Sequence, residues 1–226
     1  MDILGKYNKH LEKFVFIFLV VSTPLVIMGF NFILLFFDYD FYEKEFVRNG
    51  VYDKFGEEVV DETSLLLINY LRDDREYLDT DFFNEDEKLH LRDVKNLINN
   101  FLFLFYVTLI LFSFSVLSLI YLRKYDKLAY SFIFGATLTV VLLLIFILFG
   151  MIDFNYLFVK FHMLIFTNDL WILNPTTDNL INLFPERFFY DFFQKVMLNG
   201  VITTLFFVSV GSVIRYREKL IKIFKK

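Results

Sequence analysis

The sequence predicts an all-α membrane protein with four transmembrane helices, a small extracytoplasmic cap, and an aromatic interfacial or re-entrant segment before the last helix. Hydrophobic residues make up 57% of the 226 residues and 33 residues are Phe, which is not the composition of an ordinary soluble protein. Four apolar stretches can cross a hydrocarbon core, which takes roughly 20 residues, and none contains Asp, Glu, Lys, Arg or His. The predicted spans are residues 14–37, 101–122, 128–150 and 196–214.

The charges outside the spans define the expected topology. A fifth apolar stretch, residues 154–166, is too short for a span and is interrupted by Asn155, Lys160 and His162. With four spans, the two terminal segments and the 123–127 turn hold 12 Lys or Arg against 4 acidic residues, whereas the other side holds 11 against 23. The positive-inside rule therefore places both termini in the cytoplasm and the 154–166 stretch at the outer interface.

We expect a single integral membrane domain, residues 1–226, with an extracytoplasmic cap at 38–100 and an extracytoplasmic interfacial segment at 151–195. The first span has no small-residue cleavage pattern behind it and is interpreted as a retained signal-anchor. Spans without ionisable residues argue against an ion or proton path. The absence of Cys excludes disulfides and a thiol nucleophile. The basic tail from Arg215 suits a membrane surface, and nothing indicates binding to nucleic acid.

The cap is predicted to be mainly helical, with room for a short hairpin. A helix is expected over Thr63–Leu71 and a charged loop over residues 72–81. Asn84 and Glu87 have the spacing of a capping box at the start of the next helix. One face of that helix carries a stripe at the i, i+4, i+7, i+8, i+11 positions. The stripe consists of His90, Val94, Leu97, Ile98 and Phe101.

His90 is the candidate catalytic residue of the cap. Asp93 and Glu87 lie three residues to either side of it, within reach of its imidazole on a helix. His can exchange protons near neutral pH. A core histidine with a helix-surface ion pair is an equally good interpretation of this helix alone.

His162 is the second candidate, on the short helix of the interfacial segment. Asp169 follows seven residues later and would share its face if the helix persisted, and Trp171 comes next. Pro175 and Pro185 bracket a predicted short helix capped by Thr177 or Asp178. The alternative is an aromatic interfacial helix whose polar groups bind lipid headgroups.

Most familiar catalytic sets are missing. Ser64 is the only Ser in the two outer segments, and no Gly-x-Ser-x-Gly sequence is present. No close-spaced pair of metal ligands exists, although His90, Asp93, His162 and Asp169 could assemble a site over long range. What remains is a pair of histidines acting as general acid and base, for a substrate that supplies its own nucleophile and leaving group. His10 lies on the opposite side of the membrane and is excluded.

Two segments carry a resemblance to a known family. The run from Phe161 to Phe189, FHMLIFTNDLWILNPTTDNLINLFPERFF, and the run from Glu87 to Lys95, EKLHLRDVK, resemble the motifs of the lipoprotein intramolecular transacylases, called Lit. The order of these motifs among the four spans is also similar to that of the family.

The resemblance implies an acyltransferase of the bacterial plasma membrane with its site at the extracytoplasmic face. Its reaction moves the sn-2 acyl chain of a diacylglyceryl-cysteine lipoprotein to the N-terminal α-amino group and leaves a lyso-form lipoprotein. The implied partners are the diacylated lipoprotein N-terminus and membrane lipids, with no cofactor and no metal, and the protein is expected to be a monomer.

Within this reaction, His90 and His162 are the expected acid and base. Asp93 and Asp169 are expected to orient the imidazoles, and Asn168 and Trp171 to shape the site. Two other functions stay open at this point. One is a membrane metallohydrolase acting on lipid or peptide, and the other is a non-catalytic membrane sensor or interaction protein.

Overall fold

The computed structural model describes the backbone of residues 3–224 and the side chains of residues 10–217. This part of the chain forms nine α-helices and no strand. The helices are α1 Ile3–Phe36, α2 Tyr39–Arg48, α3 Val51–Phe55, α4 Glu57–Arg72, α5 Glu85–Tyr121, α6 Tyr125–Ile152, α7 Phe154–Ile165, α8 Leu180–Leu183 and α9 Glu186–Phe224.

Four of the described helices are long and apolar enough to cross a membrane: α1, α5, α6 and α9. The predicted fold class is therefore confirmed. At 1.5 Å per residue the 37 residues of α5 extend about 55 Å, well beyond a hydrocarbon core of about 30 Å. Its charged first four turns, up to Asn100, consequently lie outside the apolar span that begins at Phe101.

The short helix α7 corresponds to the predicted interfacial element. Its 12 residues extend only about 18 Å, too little to cross a membrane. Its exposed side chains include the apolar Phe161, Met163 and Leu164 and the polar Asn155 and Lys160, as expected of a helix at a lipid interface.

One compact unit comprises residues 1–32, 104–147 and 196–226. Its helices share a hydrophobic cluster, and Asn31 donates a hydrogen bond of 3.1 Å to Thr203 Oγ1. At one end of this unit Glu12 pairs with Lys124 and Lys127, and Arg215 pairs with Asp126. The N-terminal segment, the 123–127 turn and the start of the tail at Arg215 thus lie together. The side chains from residue 218 onward lie outside the described residues. The hydrophobic cluster that the helices of this unit share consists of Leu19, Val26, Phe112, Leu119, Leu128 and Phe132.

A second compact unit comprises residues 33–103 and 148–195. Aromatic rings of α2 pack on rings of the 184–188 region, and Phe46 lies 5.7 Å from Phe184 and 6.2 Å from Phe188. Gly50 and Gly56, both with positive φ, join α2, α3 and α4, where a residue with a Cβ would be strained. The short hairpin for which the sequence left room does not form in the described residues, because helices occupy this region up to Arg72 and an irregular loop follows to Asn84.

The start of α5 confirms the predicted capping box. Asn84 N–H donates to Glu87 Oε2 at 2.7 Å, and Glu87 N–H donates to Asn84 Oδ1 at 3.0 Å. The second oxygen of Glu87 accepts the Leu180 N–H at 2.6 Å. Glu87, which is only 1% exposed, therefore fastens α8 to the first turn of α5.

The helix predicted between the two prolines is present as α8, but its cap is Asn179 and not Thr177 or Asp178. The Asp178 carboxylate instead accepts the Asn174 N–H at 2.7 Å. It is already engaged in closing the preceding turn and cannot also cap the helix.

Candidate active site

The structure brings His90 and His162 together. Their ring centroids are 6.3 Å apart and the ring planes are inclined by 35°. The two residues lie on α5 and α7 within the same compact unit. Asp153 begins α7 as an N-cap that accepts the Tyr156 N–H at 2.9 Å, which fixes where His162 falls on that helix.

Aromatic rings surround the two imidazoles. Phe166 lies 5.0 Å from the His90 ring and 5.6 Å from the His162 ring. Trp171 is 5.1 Å from His162, and Phe158 is 4.2 Å from it. Such surroundings displace water, so charges and hydrogen bonds at this place act in a low dielectric.

One nitrogen of His162 has a defined partner. Nδ1 lies 2.7 Å from the carbonyl oxygen of Phe158, one helical turn earlier. Because a carbonyl can only accept, Nδ1 carries the hydrogen. In the neutral ring Nε2 then holds the free lone pair, which is the form that a base requires.

His90 differs in its surroundings. It is 6% exposed, and its Nδ1 is buried without a hydrogen-bond partner among the described residues. The neutral ring can hold its one hydrogen on Nε2 and leave Nδ1 as a bare acceptor, because a neutral imidazole has one donor and one acceptor nitrogen. An acceptor without a partner is less costly than a buried cation.

Both histidines have lowered pKa values, so both imidazoles are neutral at neutral pH. Burial, followed by the nearby His162, lowers the pKa of His90 to about 4, and the negative charge of Asp93 opposes this. Burial lowers the pKa of His162 as well, while the Phe158 carbonyl opposes it by stabilising the protonated ring.

Asp93 and Asn168 contact each other. Asn168 Nδ2 donates to Asp93 Oδ2 at 2.9 Å, and Asn168 Oδ1 accepts the Leu170 N–H at 3.1 Å. The expected hydrogen bonds from an imidazole N–H to the carboxylate of Asp93 or Glu87 are absent among the described residues. Glu87 is engaged at Asn84 and Leu180, and the hydrogen bond of Asp93 goes to Asn168.

Asp169 does not share a helical face with His162. The helix ends at Ile165 and Phe166 is extended, because the Asn168 side chain bonds to the backbone two residues on and competes with helix formation. Asp169 is exposed and borders a depression of about 330 Å³ lined also by Asn84, Asp86 and Asp178.

The sequence alone did not indicate the contributions of Phe158 and Phe166. The spacing of four residues between Phe158 and His162 could have suggested the first, since side chains can reach back one turn to a backbone carbonyl. Nothing in the sequence indicates that Phe166 contacts both imidazoles.

The structure gives little support for a metal site or for Ser64 as a nucleophile. Among the described residues, no three His, Asp or Glu side chains lie close enough together to hold a metal ion. Ser64 is fully buried, and its hydroxyl is hydrogen-bonded to the Asp61 carbonyl and the Tyr39 hydroxyl.

Four candidate spans among the described residues and a pair of neutral histidines, of which His90 is buried, define a multi-pass membrane protein with a site suited to proton transfer. The family model of the lipoprotein intramolecular transacylase Lit matches residues 17–189. The chain belongs to this family and is a membrane acyltransferase that acts on lipoproteins. Family membership displaces the metallohydrolase and the non-catalytic sensor as its function.

Solved structures share the fold. The lipoprotein intramolecular transacylase Lit from Bacillus cereus superposes with a TM-score of 0.86 at 21% identity, covering 94% of this chain and 99% of that one. A variant of the Bacillus cereus protein with a histidine replaced by arginine gives 0.80 at 20% identity, covering 95% and 96%. No curated protein sequence matches the chain.

Proposed function

We propose that the protein transfers the sn-2 acyl chain of a diacylglyceryl-cysteine lipoprotein to the α-amino group of that cysteine, with His162 as base and His90 as hydrogen-bond donor. The observation that carries this assignment is the 6.3 Å pairing of two neutral imidazoles, of which His162 has its Nδ1–H bonded to Phe158. The product is the lyso-form lipoprotein.

In the proposed step the free amine attacks the carbonyl carbon of the sn-2 ester. A C–N bond forms, the C=O π bond opens so that the carbonyl oxygen becomes the oxyanion, and His162 Nε2 takes a proton from the nitrogen. The C–O bond to glycerol then breaks, and His162 returns the proton to the glycerol oxygen. Atoms and charge balance, and the exchange of an ester for an amide is downhill without a cofactor.

No protein nucleophile is needed, because amine and ester belong to one molecule. Holding them in register can supply several kcal/mol of the barrier, since reacting groups need not be collected from solution. The α-ammonium has an ordinary pKa of about 8, so a reactive fraction of free amine is present at neutral pH.

The two histidines are suited to different tasks. The carbonyl at His162 favours its protonated form, which the base must adopt during the reaction. His90, with its pKa near 4, stays neutral and can offer an Nε2 hydrogen to the oxyanion. A fixed donor for an oxyanion in a water-poor site is among the strongest contributions to catalysis.

The remaining site residues are proposed to shape the space around the two imidazoles and to supply its negative charges. Trp171 covers the His162 ring, Asn168 holds Asp93, and Asp169 lies with Asn168 in the lining of the 330 Å³ depression. The protein is proposed to act as a monomer in the bacterial plasma membrane. Both termini would be cytoplasmic and the site would face the opposite side.

A crossover experiment tests the proposal. The purified full-length protein is given a synthetic diacylglyceryl-cysteinyl peptide with different sn-1 and sn-2 chains, mixed with a deuterium-labelled copy. Tandem mass spectrometry should find only the sn-2 chain on the α-nitrogen, with no exchange between labelled and unlabelled peptides. Transfer of the sn-1 chain, or scrambling of the label, would contradict the proposed reaction.

A further inference from the structure

A second depression lies beside the histidine pair. Its volume is about 240 Å³, and its lining combines carboxylate and amide groups with three apolar side chains. This volume suits a compact polar group better than an acyl chain. The lining residues are Asp93, Asn96, Leu97, Asn100, Ile165, Phe166, Thr167 and Asn168.

Phe166 connects this depression to the site. It lines the depression, and its ring contacts both imidazoles, at 5.0 Å from His90 and 5.6 Å from His162. A group bound in the depression would therefore lie next to the reacting atoms.

The Asp93 carboxylate is the charged group of this depression. It is half-buried and accepts one hydrogen bond, from Asn168 at 2.9 Å. No Lys, Arg or His in the described part of the chain forms an ion pair with it. By contrast, the buried carboxylate of Glu45 lies 3.5 Å from Arg48. A partly desolvated carboxylate without a cation is positioned to accept one from a ligand.

We propose that Asp93 binds the α-ammonium group of the substrate's N-terminal cysteine, and that Asn168 holds the carboxylate in place for this purpose. The assignment rests on the proposed function, because it presumes an N-terminal amine as the reacting group. The reaction converts that amine to an uncharged amide. Asp93 therefore favours the substrate over the product and selects lipoproteins whose N-terminus is still free.

The test is a binding measurement with two probes that cannot react. Both are ether-linked dialkylglyceryl-cysteinyl peptides, which lack an ester; one has a free α-amine and the other is N-acetylated. At pH 6.5 the wild-type protein in detergent should bind the free-amine probe about tenfold more tightly than the acetylated one, the equivalent of about 1.4 kcal/mol. The preference should disappear at pH 10, where the amine is uncharged.

Variants make the assignment specific. Asp93→Asn should bind both probes equally, and Asp93→Glu should retain a preference. Glu58→Gln removes an exposed carboxylate from the first turn of α4, away from both depressions, and should behave as wild type. Equal binding of the two probes by wild type, or a full preference in Asp93→Asn, would overturn the proposal. An unstable Asp93→Asn would leave the wild-type comparison at the two pH values to decide.

The outcome is separable from that of the proposed function, since neither probe undergoes acyl transfer. If the protein prefers the free amine but the crossover experiment finds no transfer, the proposed acyl transfer is wrong and the ammonium site at Asp93 is supported. If transfer occurs and the probes bind equally, the reaction stands and the role of Asp93 is wrong.

Discussion

Nδ1 of His162 lies 2.7 Å from the carbonyl oxygen of Phe158, four residues earlier on the same helix. This hydrogen bond places the proton on Nδ1 and leaves Nε2 as the reactive nitrogen. Among the residues that the structure describes, His90 has no comparable partner on its buried Nδ1. The unequal roles proposed for the two histidines follow from this difference.

The protonation of His162 should be visible in the fluorescence of Trp171. Trp171 is the only tryptophan of the chain and lies 5.1 Å from the His162 ring, and imidazolium quenches indole fluorescence more strongly than neutral imidazole does. Burial lowers the pKa of His162 below 6.5. The ring therefore stays neutral until the pH falls through this lowered value. We expect the emission to fall with a midpoint below pH 6.5, and to show no such transition in His162→Gln. A midpoint at or above 6.5 would contradict the lowered pKa.

Glu87 should be important for stability. Its two oxygens accept N–H groups of Asn84 and Leu180, at 2.7 and 2.6 Å. Glu87→Gln turns one acceptor into a donor that faces an N–H, so one buried donor is left unpaired. We expect a loss of about 1–3 kcal/mol in the free energy of unfolding, measured by thermal unfolding in detergent. Asp86→Asn, exposed on the same turn, is the control, and equal melting of the two variants would refute this role.

Lys95 should hold the loop that precedes α5. It is 6% exposed, and its Nζ donates to the Arg75 carbonyl at 2.5 Å and lies 3.5 Å from Asp73. Lys95→Met preserves the length of the side chain but removes both interactions. We expect amide hydrogen exchange over residues 73–83 to speed up by about tenfold, since local opening then costs less. Arg92→Met, exposed on the same helix, should leave these rates unchanged, and unchanged rates in Lys95→Met would argue against the role.

The features that the sequence predicted correctly are local or repetitive. The spans follow from uninterrupted apolar runs, and the capping box follows from Asn84 and Glu87 at fixed spacing. His90 lies on the stripe predicted for it, because a helical face has a regular period. Each of these signals is contained within one element.

The relationships that define the site join distant parts of the chain. The Asp93–Asn168 hydrogen bond spans 75 residues and the Glu87–Leu180 bond spans 93. No spacing rule reports such contacts. Asp169 does not share the face of His162, because α7 ends at Ile165 and the condition of a continuing helix is not met. Asn168 instead accepts the Leu170 N–H in a side-chain turn.

His90 and His162 are proposed to perform the transfer together. The most direct measurement is single-turnover conversion of a diacylglyceryl-cysteinyl peptide by purified wild type, His90→Ala, His162→Ala and His10→Ala, followed by mass spectrometry of the N-acylated product. Loss of a general base or an oxyanion donor costs about 10²–10⁴-fold in rate. The prediction is at least a hundredfold loss for His90→Ala and for His162→Ala with retained melting temperatures, and a wild-type rate for His10→Ala, whose side chain is exposed. Near-normal conversion by either site variant would contradict it.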